Sequence, residues 1–314
     1  MADTGTDVSF ARSLLEKGEL VAIPTETVYG LAGNALSSDA VARIFEVKNR
    51  PSFDPLIVHI HDFRELSKYA MNIPQSAERL AKEFWPGPLT LLLRKRSIVP
   101  DLVTSGLDTV GVRCPNHPLT QNLLKMIDFP LAAPSANPFG FVSPTKAAHV
   151  TEQLGSRIKY VLDGGQCTIG IESTIVGFEN NKPVIHRLGG ISIEQIESVV
   201  GEVDVAAPGS ALKAPGQLKS HYSPSKKMFV ADLEKTISLV ELERVAVLSF
   251  QKDYNAPHQV VLTPAGDLKE AARNLFDALR RLDKMPVDLI LAEFVPEEGI
   301  GLAINDRIRR AAAK

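Results

Sequence analysis

In the stretch Lys48-Asn49-Arg50-Pro51, two cations stand two residues apart at the end of a helix-period segment, directly before SFDPLIVHI. An ammonium and a guanidinium at such a junction can clamp a polyphosphate and neutralise its charge. The same cations would also offset the dipole of an ordinary last helical turn, so the pair alone leaves both readings open. Upstream, IPTETVYG crowds Thr25, Glu26, Thr27 and Tyr29 between a proline and a glycine. That places hydroxyls on a tight turn at a strand end, where open α/β sheets gather ligands. A loop whose threonines bond their own backbone has the same composition.

Arg113 closes the apolar run TVGVR, and an arginine in that setting must find an anion. LAAPSANPFGFVSPT sets Ser135, Asn137 and Ser143 among prolines and glycines, as either a surface loop or a preorganised site would. LDGGQCTIGIESTIVGF supplies a glycine-rich bend followed by Ser173 and Thr174, and VIHRLGG puts Arg187 before another turn. His61, His117, His149 and His221 share no ligand spacing, and Trp85 in FWPGP reads as a packing residue. No glycine fingerprint of the dinucleotide or Walker type follows a strand, so a nucleotide site must be built differently.

The elements that position these residues alternate in period. Leu20 to Ile23, PLIVHI, LTLLL, TVGVR and YVL read as strands between helical segments, which predicts an α/β domain. SSDAVARIFEVK carries Val41, Ile44 and Phe45 on one face behind a serine cap, and HPLTQNLLKMI repeats the pattern with Leu119, Leu123, Leu124 and Ile127. ISIEQIESVVG predicts a capping box between Ser192 and Gln195, and Gly201 ends the last helix of a first domain. Around residues 205–226 the texture turns to Pro, Gly and Ala, which reads as a linker. Beyond it, KMFVADL, VAVLSF, QVVLTP and DLILAEF read as strands, and DLKEAARNLFDALRRLD places Leu268, Ala272, Leu275 and Leu279 at helical spacing.

The 314 residues suffice for two domains, and 44% hydrophobic against 23% charged residues describes an ordinary globular chain. A formal net charge of -2 excludes a protein whose main task is gripping nucleic acid through overall charge, although a local basic cleft stays compatible. Cys114 and Cys167 form no ligand-like cluster, which predicts two buried reduced thiols and no zinc site. The N-terminus has no signal pattern and no apolar run reaches spanning length, so a cytoplasmic protein without membrane association is expected.

Taken in order, PTETVYGLAGNA, KNRP with PLIVHI, GVRCP, APSANPFGFVSPT, LDGG, IESTIV and RLGG resemble the YrdC-like threonylcarbamoyl-AMP synthase family. HYSP and the trailing α/β segment resemble the long form of that family. The resemblance implies an open twisted-sheet catalytic domain over 1–204, a linker or lid over 205–226 and a smaller Rossmann-like α/β domain over 227–314. It implies a nucleotidyltransferase that converts L-threonine, bicarbonate and ATP to threonylcarbamoyl-AMP and pyrophosphate, with Mg²⁺ accompanying ATP. The product would serve N6-threonylcarbamoyladenosine modification of tRNA through a downstream transferase complex; weak direct tRNA binding is left open.

Carried over by position, Thr27, His59, Arg113, Ala133 and Ser173 match residues that hold L-threonine, with Arg113 on its carboxylate. Lys48, Arg50, Asp54, Thr109, Ser135, Asn137, Ser143, Arg187 and Tyr222 match the ATP side, and Lys48 with Arg50 form the catalytic clamp. No protein metal ligand is expected. Ser223 departs from the alanine usual in HYAP, which leaves the lid role of this segment open. Among the rivals, carbamoyl-adenylate chemistry of hydrogenase maturation needs a larger chain with cysteine clusters. An RNA-binding module without ATP turnover is the rival of a different class, and an inactive paralogue would be expected to lose Lys48, Arg50, Ser135 or Asn137.

Overall fold

The computed structural model describes residues 1–207, 215–216 and 221–313. The period-two runs become strands of one large mixed sheet. In space the order is Asp3–Gly5, Tyr160–Leu162, Val21–Ile23, Gly30–Asn34, Leu131–Ala132, Ile57–His59, Thr109–Arg113, Leu89–Lys95, Thr174–Glu179, Lys182–Arg187 and Asp204–Val205. Ala70–Met71 pairs with Leu89–Lys95 off this path. Two strands here, Gly30–Asn34 and Thr174–Glu179, grow out of segments whose glycines and hydroxyls suggested only turns.

Alternation across the strands explains the layers. Leu20, Ala22 and Leu31 pack in a core with Val41, Ile44 and Phe45 of the helix Ser38–Lys48. Val21, Ile23 and Ala32 point the other way, into a core with helices Val8–Glu16 and Pro118–Met126. Helices therefore cover both faces of this half of the sheet. In the other half, Val58, Leu91, Leu93, Val110 and Val112 join the first core, while Ile57, Leu92 and Ile175 form a small separate cluster on the opposite face. That face is where the concavity described below opens.

Caps follow the sequence expectations. Ser37 accepts from the Ala40 amide, and the helix stops at Lys48 because Asn49 turns left-handed at φ 50°. The reciprocal Ser192 and Gln195 capping box is formed, and the helix Ile193–Val200 ends on Gly201.

Residues from Lys227 onward build a second, smaller sheet in which all four strands are parallel: Lys227–Val230, Leu289–Ala292, Val245–Ser249 and Gln259–Val261. Helices Leu268–Asp283 and Gly301–Ala311 pack on it, and Leu275, Leu279, Ile304 and Ile308 are fully buried. Val28, Val142, Ile171 and Tyr222 join this second core, so the two halves share apolar packing. Polar contacts bridge the same seam: Arg280 donates to the carbonyl of Val142 and to Gln153, and Asp277 pairs with Lys146 and His149. Both cysteines are free and buried. Among the described residues, no helix is long and apolar enough to cross a membrane.

Candidate active site

Strand geometry sets the floor of the cleft. On Ile57–His59 the pleat puts Ile57 and His59 on one face, and the parallel neighbour Thr109–Arg113 brings Arg113 opposite His59. Gly111, opposite Ile57, leaves room where a Cβ would lie 3.2 Å from Thr90 Cγ2. Ser173 lies immediately before the strand Thr174–Glu179, and Arg187 ends the one beside it. The cleft is lined by Thr27, Val28, Arg50, Pro55, Ile57, His59, Arg113, Ala133, Pro134, Ser135, Glu172, Ser173, Arg187, Pro215, Gly216, His221 and Tyr222.

All five residues assigned to L-threonine by resemblance, Thr27, His59, Arg113, Ala133 and Ser173, meet on this lining. Of the residues assigned to ATP, Arg50, Ser135, Arg187 and Tyr222 line it as well. Lys48, Asp54 and Ser143 stand behind the wall and hold the lining residues Ser135, Arg50 and Glu172, while the Asn137 amide donates to the Pro138 and Phe141 carbonyls within its own loop. Thr109 is elsewhere: it begins the strand that Arg113 ends and pairs with Arg94, roughly 13 Å along the chain from Arg113.

The supporting bonds are specific. Lys48 Nζ, buried, donates to the carbonyls of Ser135 and Asn137 and so pins the S-x-N loop to the helix end. Burial, and then the Arg50 charge, pushes this amine well below the ordinary lysine range. Arg50 donates to the carbonyls of Asp54 and Pro55 at 3.0 and 2.8 Å, and its Nη2 lies 3.0 Å from Asp54 Oδ2. Neither Asp54 carboxylate oxygen has hydrogen-bond alignment, and burial raises this carboxyl against the pull of Arg50.

Arg187 donates through Nε and Nη2 to the Ser173 carbonyl and through Nη2 to Ser173 Oγ at 3.0 Å. Ser173 Oγ also shares a 2.8 Å hydrogen bond with Thr90 Oγ1. Thr27 Oγ1 is 2.8 Å from Thr25 Oγ1, which in turn donates to the Val28 carbonyl. Burial, and then the neighbouring Arg113, pushes the His59 imidazole down to about 3, so it is neutral at physiological pH. His221 is pushed the same way by burial and by Arg50, and burial lifts the Tyr222 hydroxyl to about 12.

Three buried guanidiniums, Arg50, Arg113 and Arg187, thus face one concavity whose histidines are neutral. Such an arrangement binds anions, and it is preorganised because every cation is held by backbone carbonyls. Among the described residues no group of three or more His, Cys, Asp or Glu gathers as metal ligands.

Comparison with known proteins decides the family. Residues 13–189 match the family described as Telomere recombination, of Sua5, YciO and YrdC type, and residues 191–313 match the threonylcarbamoyl-AMP synthase C-terminal domain. The chain belongs to the threonylcarbamoyl-AMP synthase family. It is 45% identical to the threonylcarbamoyl-AMP synthase of Pyrococcus abyssi over 97% of this chain and 94% of that protein. The Bacillus subtilis threonylcarbamoyl-AMP synthase is 42% identical over 97% and 92% of the two chains. The solved structure of P. abyssi Sua5 complexed with L-threonine superposes with a TM-score of 0.92 at 41% identity, covering 99% of this chain and 97% of that one. Full-length HypF shares 26% identity with a TM-score of 0.53, but the match covers only 29% of that longer chain. The HypF likeness covers 59% of this chain, whereas the Sua5 likeness spans both halves of this family member.

Sequence reasoning did not place Glu172 or His221 on the lining, nor foresee the pairing of Glu26 with Arg113. Glu172 directly precedes Ser173 in IESTIV, and His221 directly precedes Tyr222 in HYSP, so both sat inside motifs that had been noticed. What the sequence could not reveal was which charge each would meet across the fold.

Proposed function

We propose that this chain converts L-threonine, bicarbonate and ATP to threonylcarbamoyl-AMP and pyrophosphate. The observation that carries the proposal is Arg113 on the cleft floor: its Nη2 touches Glu26 yet has no aligned hydrogen-bond acceptor. A substrate carboxylate would complete it. Thr27, His59 and Ser173 surround the same spot with hydroxyls and a neutral imidazole, which can receive an ammonium and a hydroxyl without adding charge.

The reaction begins when the unprotonated amine of threonine attacks the carbon of bicarbonate, giving a carbamate and releasing water. A carbamate oxygen then attacks the α-phosphorus of ATP, and the bond to the β-phosphate oxygen breaks to expel pyrophosphate. Carbamates are weak, short-lived nucleophiles, so holding the reactants together contributes more than any protein nucleophile would. Arg50 and Arg187 would bear on the phosphates, where charge redistributes in the transition state. Lys48 acts at one remove, by fixing the Ser135 and Asn137 loop.

Mg²⁺ belongs to this proposal as a companion of ATP, neutralising phosphate charge when bound. The carboxylates on or beside the lining, Glu26, Asp54 and Glu172, are each paired with an arginine. A protein cage does not fit; an ion held by phosphate oxygens and water does. The product's use by a tRNA-modifying transferase, and a cytoplasmic setting, belong to the same reading.

The test is pyrophosphate release by the purified protein with ATP and Mg²⁺, omitting threonine or bicarbonate in turn and offering serine as a substitute. Release that needs both co-substrates supports the proposal. Release indifferent to threonine would contradict the proposal, and no release alongside salt-sensitive RNA binding would point to the binding-module rival.

A further inference from the structure

Arg307 lies on the last helix, Gly301–Ala311, in the second sheet's half of the chain, and its side chain has no solvent exposure. Its Nε donates to Glu172 Oε2 at 2.9 Å, Nη1 to Asp306 at 2.7 Å and Nη2 to the Leu188 carbonyl at 2.8 Å. Its guanidinium carbon sits 5.1 Å from the centre of the Tyr222 ring. Glu172 and Tyr222 both line the cleft. Glu172 spends its other oxygen on Ser143, whose hydroxyl donates to Oε1 at 2.6 Å.

We infer that Arg307 is a positioning residue of the cleft, through which the second domain neutralises Glu172 and orients Ser143 and Tyr222 on the nucleotide side. The inference rests on the proposed ATP-dependent function. Two physical consequences support it. A carboxylate lining a cleft that must accept a triphosphate would repel it, and Arg307 supplies the compensating charge from behind. In addition, Ser143, buried behind the wall, gives its proton to Glu172, so that both carboxylate oxygens are held and the group keeps one orientation on the lining. Among the described residues, the threonine-side groups Arg113 and His59 bond instead to Gly87, Glu26 and Ile57, so loss of the network should separate the two substrates.

The experiment compares steady-state kinetics of the full-length protein with Arg307→Met, Arg307→Lys, Glu172→Gln and the Arg307→Met/Glu172→Gln pair. Arg307→Met is expected to raise KM for ATP roughly tenfold with KM for threonine within about twofold. Removing the stranded charge in the double variant should recover most of that loss, and Arg307→Lys should lie between. A merely structural arginine would lower thermal stability and active fraction without a selective change in KM for ATP, and the second substitution would rescue nothing; that result overturns the inference. An unchanged KM for ATP in Arg307→Met overturns it as well. Failure of the wild-type protein to turn over ATP with threonine would instead strike the functional proposal itself.

Discussion

Glu26 Oε1 lies 2.8 Å from Arg113 Nη2, and both side chains are about 5% exposed. The pair joins a turn at one strand end to the last residue of another, and Glu26 Oε2 also accepts from the Asn116 amide. Arg113 Nε meanwhile donates to the Gly87 carbonyl at 3.3 Å. A guanidinium so anchored keeps its orientation on the cleft lining.

Glu26→Gln should therefore cost more than a surface pair would. It leaves the Arg113 charge buried with no counter-ion, a loss of about 3 kcal/mol or more. Urea denaturation at neutral pH measures it, and KM for threonine should rise in the same variant because Arg113 is freed to shift. A change within about 0.5 kcal/mol would show that Glu26 is not the anchor.

His59 predicts a pH signature. Its ordinary pKa is 6.5, and in the folded chain burial and Arg113 bring it to about 3. Between those values the unfolded chain binds a proton that the folded one refuses, so stability is full above about 6.5 and falls as pH drops toward 3. At pH 5 the loss from this group is about 2 kcal/mol. Denaturation of the wild type and His59→Gln at pH 7.5 and pH 5 should show the gap between them shrinking or inverting by that amount. Parallel pH dependence in the two proteins would contradict a buried neutral His59.

Gly170 tests the seam between the two sheets. It adopts φ +83°, and a Cβ there would stand 2.4 Å from the Cα of Arg273 on the helix Leu268–Asp283. Backbone cannot yield cheaply, so Gly170→Ala should cost about 2–4 kcal/mol and open the seam to limited proteolysis. Unaltered proteolysis and stability would mean that the halves can separate here without consequence.

Much of this was legible beforehand, and the limits have physical causes. Helix Ser38–Lys48 announced itself through Val41, Ile44 and Phe45 and through its cap, because local sequence determines both. The strands of the second domain were equally plain, being short apolar runs between turn residues. Gly30–Asn34 was not, since its glycines carry no apolar alternation and it becomes a strand only by pairing with Val21–Ile23 and Leu131–Ala132. The motifs around Arg50, Arg113 and Ser173 marked the cleft, and the resemblance supplied their roles. Arg307 left no trace of that kind: it is one of several arginines on a C-terminal helix, and its importance comes from a carboxylate 135 positions away. The linker segments 208–214 and 217–220 lie outside the described residues, whereas the flanking His221 and Tyr222 reach the cleft.

The central claim is most directly tested by supplying ¹³C-bicarbonate with L-threonine, ATP and Mg²⁺ and following the adenylate product by mass, with Arg50→Ala alongside. The account predicts threonylcarbamoyl-AMP carrying one labelled carbon, with formation reduced about 100-fold or more in the variant. Unlabelled AMP alone, or labelled product undiminished by loss of Arg50, would contradict it.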